Sequence, residues 1–330
     1  MTKTIQDLRF RPLRYPEFFE YWKVAKQNPW TVFELDFLGD IQSWKNDLIE
    51  GERRAITRSF GGFTQAEQLV GEYWTEKVAT GFQVPEIIMM AREFGSQESN
   101  HLYAYNFSEE VLGLDTFDEF VASKEATDKI QLLLDDESDP ITSLAIFSGA
   151  VEGCSLFAIF ALLASFCRNN KMQTIKEILG WSAVDEELHS QAGIKLFHTF
   201  KTDNNHDVNK IIEGFDAVIT NEVAFIDYVM KDGDLPTMKR NDLVSYLMYR
   251  ANDKLKQLGI GPRYTVINED KAREINREMI LLTKGKQHGD FFAGKLSDSY
   301  TAVVTQNFAK LNFPKKRNLF QDYSNQQLMM

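Results

Sequence analysis

With 330 residues, 43% of them hydrophobic and only eight prolines, the chain is long enough to bury a large core as one domain or as a domain with appendages. Its net charge of −11 does not offer the basic surface that phosphate binding needs, which argues against a nucleic-acid partner. The N-terminal sequence MTKTIQDLRFRPLRYPEF lacks the apolar core of a secretory signal, and no stretch rich in Pro, Gly or Ser marks a linker.

In chain order, nearly every long segment carries helical periodicity. After a short N-terminal region, residues 51–80 and 85–112 read as two helices joined by a turn at Gly81-Phe-Gln-Val-Pro85. Residues 116–134 read as a bridging helix capped by Asp115. A second helical pair follows at 139–168 and 171–201, joined by a turn at Arg168-Asn-Asn-Lys171, and further helices are expected over 208–231, 239–258 and 268–284. The polar segment from Pro314, opening on Lys315-Lys316-Arg317, has little reason to fold alone. The expected organisation is one helical domain over 1–313 and a flexible tail over 314–330.

Residues 141–166 contain Glu152 as their only charge and are long enough to span a bilayer. The same pattern fits a central helix of a large bundle, apolar on every face because other helices surround it. A lone carboxylate in lipid is costly unless it is protonated, paired or bound to metal, so the bundle reading is preferred and no membrane partner is expected. Cys154 and Cys167 both fall in an apolar helical segment and read as buried reduced thiols, which suits the cytoplasm.

Two Glu-x-x-His words stand in the chain, Glu98-Ser-Asn-His101 and Glu186-Glu-Leu-His189. Residues at i and i+3 share a helix face, so each word aims a carboxylate and an imidazole at one point. Glu67 lies about as far before the first turn as Glu98 lies after it, so the two sit at one height in an antiparallel hairpin. Glu152 and Glu186 flank the second turn in the same way, offset by one or two residues, or roughly 3 Å at the α-helical rise. Four carboxylates and two imidazoles can therefore converge inside a four-helix bundle. One Glu from each of two helices plus Glu-x-x-His from each of the others is the ligand set of dinuclear carboxylate proteins. His198, His206 and His288 have no ligand spacing and read as structural or exposed, and Glu187, about 100° around the helix from Glu186, reads as part of a solvated acidic face.

The residues around these ligands resemble the radical-generating small subunit of class I ribonucleotide reductase, from about Asn28 to the C-terminus. The family pattern is matched by Glu67, by Glu98 and His101 with Tyr105 four residues later, by Glu152, and by Asp185-Glu186-Glu187-Leu188-His189. Asn28-Pro-Trp30, Asn252-Asp-Lys-Leu255 with Leu258-Gly259, and His288-Gly-Asp-Phe-Phe292 with Tyr300 also look like family landmarks. The resemblance implies an all-α, ferritin-like four-helix bundle with additional helices. It implies a dinuclear centre of two Fe, or alternatively two Mn or a mixed Mn/Fe pair, held by Glu67, Glu98, His101, Glu152, Glu186 and His189. Tyr105 would store a radical, with Phe160 in its apolar surround. Asp185 would accept a hydrogen bond from His101, Trp30 would join that pair, and Tyr323 would carry the relay through the tail. The implied partners are a second copy in a homodimer, the large catalytic subunit docked by the C-terminal tail, and an activating flavoprotein if the metal is manganese.

The chain departs from the family pattern in placing Glu67 where Asp is common, in the nearness of Tyr323 to its end, and in a short interval between Glu98 and Glu152. A different dinuclear oxidase, such as a ligand-binding oxidase, a desaturase or a hydroxylase, would share all six ligands but would need a substrate channel and no relay, so Tyr105, Asp185, Trp30 and the tail speak against it. Ferritin-like iron storage or an inert scaffold would need only the bundle.

Overall fold

The structure is a computed structural model that describes residues 10–134 and 138–284. Tyr323, His288, Tyr300 and the expected tail over 314–330 lie outside the described residues. Among those described there is no strand.

Helix α1 (Pro16–Lys26) and α2 (Leu38–Asn46) precede the first long hairpin. Its first arm is α3 (Glu50–Glu72), which continues through a π-helical segment, Tyr73–Val78, into a last turn, α4 (Ala79–Gly81). Its second arm, α5 (Pro85–Leu112), opens with proline at its first turn, where no amide hydrogen is missed. The bridging region forms two helices, α6 (Phe117–Ala122) and α7 (Lys124–Leu134), rather than the single helix expected over 116–134. Ser123 is extended and its hydroxyl accepts from the Ala126 amide, so it stops one helix and starts the next. Thr116, not Asp115, holds the N-cap position of α6; it makes no side-chain cap bond, and its hydroxyl donates to Glu109.

The second hairpin begins with α8 (Pro140–Ile146), capped by the Asp139 carboxylate on the amides of Ile141 and Thr142. A π-helical segment, Phe147–Ser155, follows, then α9 (Leu156–Ser165), a short 3-10 turn and α10 (Gln173–Phe200). The turn closes with Asn170 and Met172 at positive φ. The apolar stretch from Pro140 to Asn169 is 89% buried in its most hydrophobic window, as a central bundle helix should be. Helices α11 (Val208–Val229), α12 (Arg240–Gln257) and α13 (Glu269–Lys284) wrap the outside close to the expected boundaries, and Asp207 caps α11.

Helix α3 packs along α5, α5 on α10, α10 on the π segment and α9, and α9 back on α3, which closes a four-helix ring. Two apolar clusters fill it. One holds Phe60, Phe63, Ala104, Tyr105, Phe157, Phe160, Ile178 and Ala183; the other holds Val70, Trp74, Met90, Phe94, Phe147, Val151, Ala192 and Phe197. On every arm of the ring a candidate ligand sits between these clusters in sequence: Glu67 on α3, Glu98 and His101 on α5, Glu152 on the π segment, Glu186 and His189 on α10. The bundle is thus two hydrophobic cores with a polar layer between them.

Close approach of α3 and α5 at that layer depends on glycine. A Cβ on Gly95 would lie 2.4 Å from Thr75 Cγ2 and 3.2 Å from the Gly71 carbonyl oxygen. Gly95→Ala is therefore expected to destabilise by about 1–3 kcal/mol, overcoming the usual helical advantage of alanine. Gly39→Ala in α2, where a Cβ meets nothing within 4 Å, should be neutral or stabilising. Chemical denaturation of the two metal-free variants checks the pair, and equal effects would rule out the close-approach account.

Candidate metal centre

The six residues expected as ligands converge, each with 1% exposure or less. They form two donor sets: Glu67, Glu98, His101 and Glu186 in one, and Glu98, Glu152, Glu186 and His189 in the other. Within each set the donor atoms lie within 4.8 Å of one another, and Glu98 and Glu186 belong to both. Two shared carboxylates, with one further carboxylate and one imidazole at each end, describe two adjoining cation positions.

The imidazoles are turned so that Nδ1 faces inward. His101 Nε2 lies 3.2 Å from Asp185 Oδ2, and an ionised carboxylate only accepts, so Nε2 carries a hydrogen in the neutral ring and Nδ1 presents a bare lone pair. That lone pair is 3.0 Å from both Glu98 Oε2 and Glu186 Oε1. His189 Nδ1 is 2.7 Å from Glu98 Oε1 and 3.7 Å from Glu152 Oε2. Acceptor faces acceptor unless a proton or a cation stands between them. Both oxygens of Glu67 and of Glu186, Glu98 Oε1, Glu152 Oε2 and His189 Nδ1 are buried without a hydrogen bond of good geometry.

Protonation behaviour carries the same mark. Burial pushes Glu67 well above the ordinary carboxylate range, with Glu186 and Glu98 adding repulsion, and burial beside Glu186 takes Glu152 up to about 8. Burial alone would lower His101 and His189, but the charge of Glu98 and hydrogen bonds to the surrounding carboxylates raise both well above the ordinary imidazole value. A cluster that must hold protons where its donor atoms meet is one in which divalent cations can replace them. Two such cations neutralise four carboxylates, so the residues present fit a dinuclear group.

The chain matches the family model for the ribonucleotide reductase small chain over residues 8–271. It belongs to the ribonucleotide reductase small-chain family. A small-subunit relative from Invertebrate iridescent virus 6, named as a probable ribonucleoside-diphosphate reductase small subunit, is 28% identical over 346 residues, covering 90% of this chain and 94% of its own. Among solved structures, the dimanganese(II)-NrdF of Streptococcus sanguinis aligns with TM-score 0.69 at 17% identity, over 85% of this chain and all of that one. The Rnr4 homodimer of Saccharomyces cerevisiae aligns with TM-score 0.67 at 16% identity, over 81% of this chain and 89% of that one. The ferritin-like helical fold is thereby shared, and the family match makes this chain a ribonucleotide reductase small subunit.

In this small subunit an arm runs outward from His101. Asp185 Oδ2 accepts from Trp30 Nε1 at 2.8 Å as well as from His101, and the Trp30 ring stacks on the His101 ring at 5.5 Å and 18°. Asn100 Nδ2 donates to the Trp30 carbonyl at 3.1 Å, fixing the indole's backbone. Tyr105, one turn past His101, is fully buried, with Phe63 at 5.2 Å and Phe60 at 6.2 Å between ring centroids. Phe160 backs Phe63 at 5.3 Å and so belongs to the expected apolar surround, one ring removed from the tyrosine. The Tyr105 hydroxyl has no hydrogen bond of good geometry, and burial together with the charge of Glu67 holds its proton well above the ordinary phenol value.

Two residues of the layer escaped sequence reading. Trp74 Nε1 donates to Glu152 Oε1 at 2.6 Å. Its place two turns after Glu67 on the same face was the available signal. Gln97 touches Asp185 and His189, and nothing in its spacing marked it. Glu187 points away from the centre as expected and stays partly exposed, but it is paired rather than merely solvated: Arg250 and Lys254 both bind it and hold its carboxyl down at about 2. His198 is exposed and His206 half-buried, and they bond the carbonyls of Gln257 and Thr202, as structural histidines do.

Proposed function

We propose that Glu67, Glu98, His101, Glu152, Glu186 and His189 hold a pair of iron or manganese ions, that Tyr105 stores the resulting radical, and that Asp185 and Trp30 pass it outward. The observation that carries this reading is the pair of donor sets sharing Glu98 and Glu186. When bound and oxidised by oxygen or a reduced oxygen species, the metal pair would supply the oxidising power to take one electron and one proton from the phenol.

The protein's own residues do the rest. Asp185 keeps the Nε2 hydrogen of His101 in place and so presents Nδ1 to the centre. Trp74 orients Glu152. The phenylalanines around Tyr105 exclude water, and burial keeps the phenol protonated until it is oxidised. Trp30 and Asp185 form a continuous hydrogen-bonded and stacked arm from His101, which a dinuclear oxidase acting on a bound substrate would not require. Tyr323 in the C-terminal tail is the proposed last station, with the tail docking on the large catalytic subunit, where ribonucleotides are reduced. The name of the viral relative favours diphosphates as substrates. A homodimer follows the yeast relative and manganese the streptococcal one; an activating flavoprotein is the proposed further partner if manganese is used, and iron remains the alternative metal. The proposed compartment is the cytoplasm, in keeping with Cys154 and Cys167 standing outside any disulfide among the described residues.

Metal-free protein loaded anaerobically with Fe(II), or separately with Mn(II), and then exposed to oxygen, with superoxide supplied in a parallel Mn(II) sample, is expected to give a tyrosyl EPR signal under one loading. Tyr105→Phe should bind the same two metals per chain and lose that signal. A tyrosyl signal that persists in the variant would place the radical elsewhere.

A further inference from the structure

One side chain joins the His189 end of the centre to the carboxylate that holds His101. Gln97 precedes Glu98 on α5 and reaches across to α10, where Asp185 and His189 stand one turn apart. Its Nε2 donates to Asp185 Oδ1 at 2.8 Å, and its Oε1 lies 3.1 Å from His189 Nε2. The partners fix which way the amide faces. Asp185 only accepts, so the amide nitrogen must be toward it, and the amide oxygen is therefore toward His189. An oxygen there demands a hydrogen on His189 Nε2, which leaves Nδ1 as the lone pair directed at Glu98 and Glu152.

We propose that Gln97 is a positioning residue for the second metal position: it holds His189 as the Nε2–H tautomer and couples that imidazole to the Trp30–Asp185–His101 arm. The proposal rests on the reading of His101 and His189 as metal ligands. The two imidazoles are held differently. His101 is oriented by a carboxylate directly, whereas His189 is oriented by an amide that is itself oriented by the same carboxylate. Asp185 thus accepts from Trp30, His101 and Gln97 together, and both inward-facing Nδ1 atoms trace back to that one residue. Loss of Gln97 removes the only hydrogen bond described for His189 Nε2 and leaves His101 with its own partner intact.

The test is a Mn(II) titration of metal-free wild type, Gln97→Leu and Gln97→Glu, followed by EPR of free Mn(II), with nitrogen chemical shifts of labelled histidine in the Zn(II)-loaded forms as a readout of tautomer. Wild type should bind two ions. Gln97→Leu should weaken one of them roughly 10- to 100-fold and leave the other near its original affinity, because such supporting partners typically carry effects of that size. The His189 nitrogen pattern should lose its single-tautomer character while that of His101 is kept. Gln97→Glu retains an acceptor for His189 but sets a second carboxylate against Asp185, so it should restore the weakened ion and disturb the His101 pattern instead. Equal loss of both ions in Gln97→Leu, or no loss of either with unchanged nitrogen shifts, overturns the proposal. Failure of wild type to bind two ions would instead overturn the metal-centre reading beneath it.

Discussion

Glu98→Ala is expected to empty both metal positions, whereas Glu67→Ala should leave one of them occupied. Glu98 belongs to both donor sets and Glu67 to one, so the two carboxylates differ in how many cations lose a ligand. Charge decides the size of the effect. Two divalent cations balance four carboxylates, and removing any one leaves a buried unit charge uncompensated. Breaking a buried charge pair on one side costs about 3–5 kcal/mol, which corresponds to an affinity loss on the order of 10²- to 10⁴-fold. Bound metal per chain after gel filtration in Mn(II) or Fe(II) reads the result directly. Thermal melting of the metal-free variants separates lost ligation from lost folding. If Glu98→Ala and Glu67→Ala each retain one ion, the carboxylate is not shared and the two-position geometry is wrong.

Much of this centre was legible before the fold was known, because helical periodicity and hairpin symmetry are properties of spacing. Two Glu-x-x-His words and two glutamates equidistant from turns suffice to predict convergence, and all six side chains do meet. The same arithmetic could not find the π-helical segments at Tyr73–Val78 and Phe147–Ser155, which carry Trp74 and Glu152. A π turn carries no residue pattern that distinguishes it from the α-helix on either side, so periodicity reads straight through both segments. Gln97 was invisible for a different reason. Its role depends on the distance between α5 and α10, a tertiary quantity. Glu187 was half legible: its direction away from Glu186 was read correctly as leaving the centre, while Arg250 and Lys254, more than sixty residues later, could not be placed beside it. The break at Ser123 is a local competition in which a serine hydroxyl offers the next helix a cap, and periodicity alone does not weigh that option.

Asp185→Asn and Trp30→Phe separate metal support from radical transfer. Asp185 accepts three hydrogen bonds: from Trp30 and His101 on Oδ2 and from Gln97 on Oδ1. Asparagine has one oxygen, so its NH₂ must face either the Trp30 and His101 donors or the Gln97 donor, and one of them is left unpaired. Asp185→Asn is therefore expected to weaken metal binding roughly 10- to 100-fold and to lower turnover with the large subunit by about 100-fold even when metals are supplied in excess. Trp30→Phe keeps a ring to stack on His101 but loses the indole N–H. It should retain two metals per chain and a normal tyrosyl EPR signal, yet fail to support ribonucleotide reduction, because the arm is interrupted beyond the imidazole. Radical yield and turnover measured on one preparation of each variant discriminate the roles. Full turnover in Trp30→Phe would mean that the radical leaves by another path and that Trp30 serves only to pack against His101 and Trp181, at 5.5 Å and 5.3 Å between ring centroids.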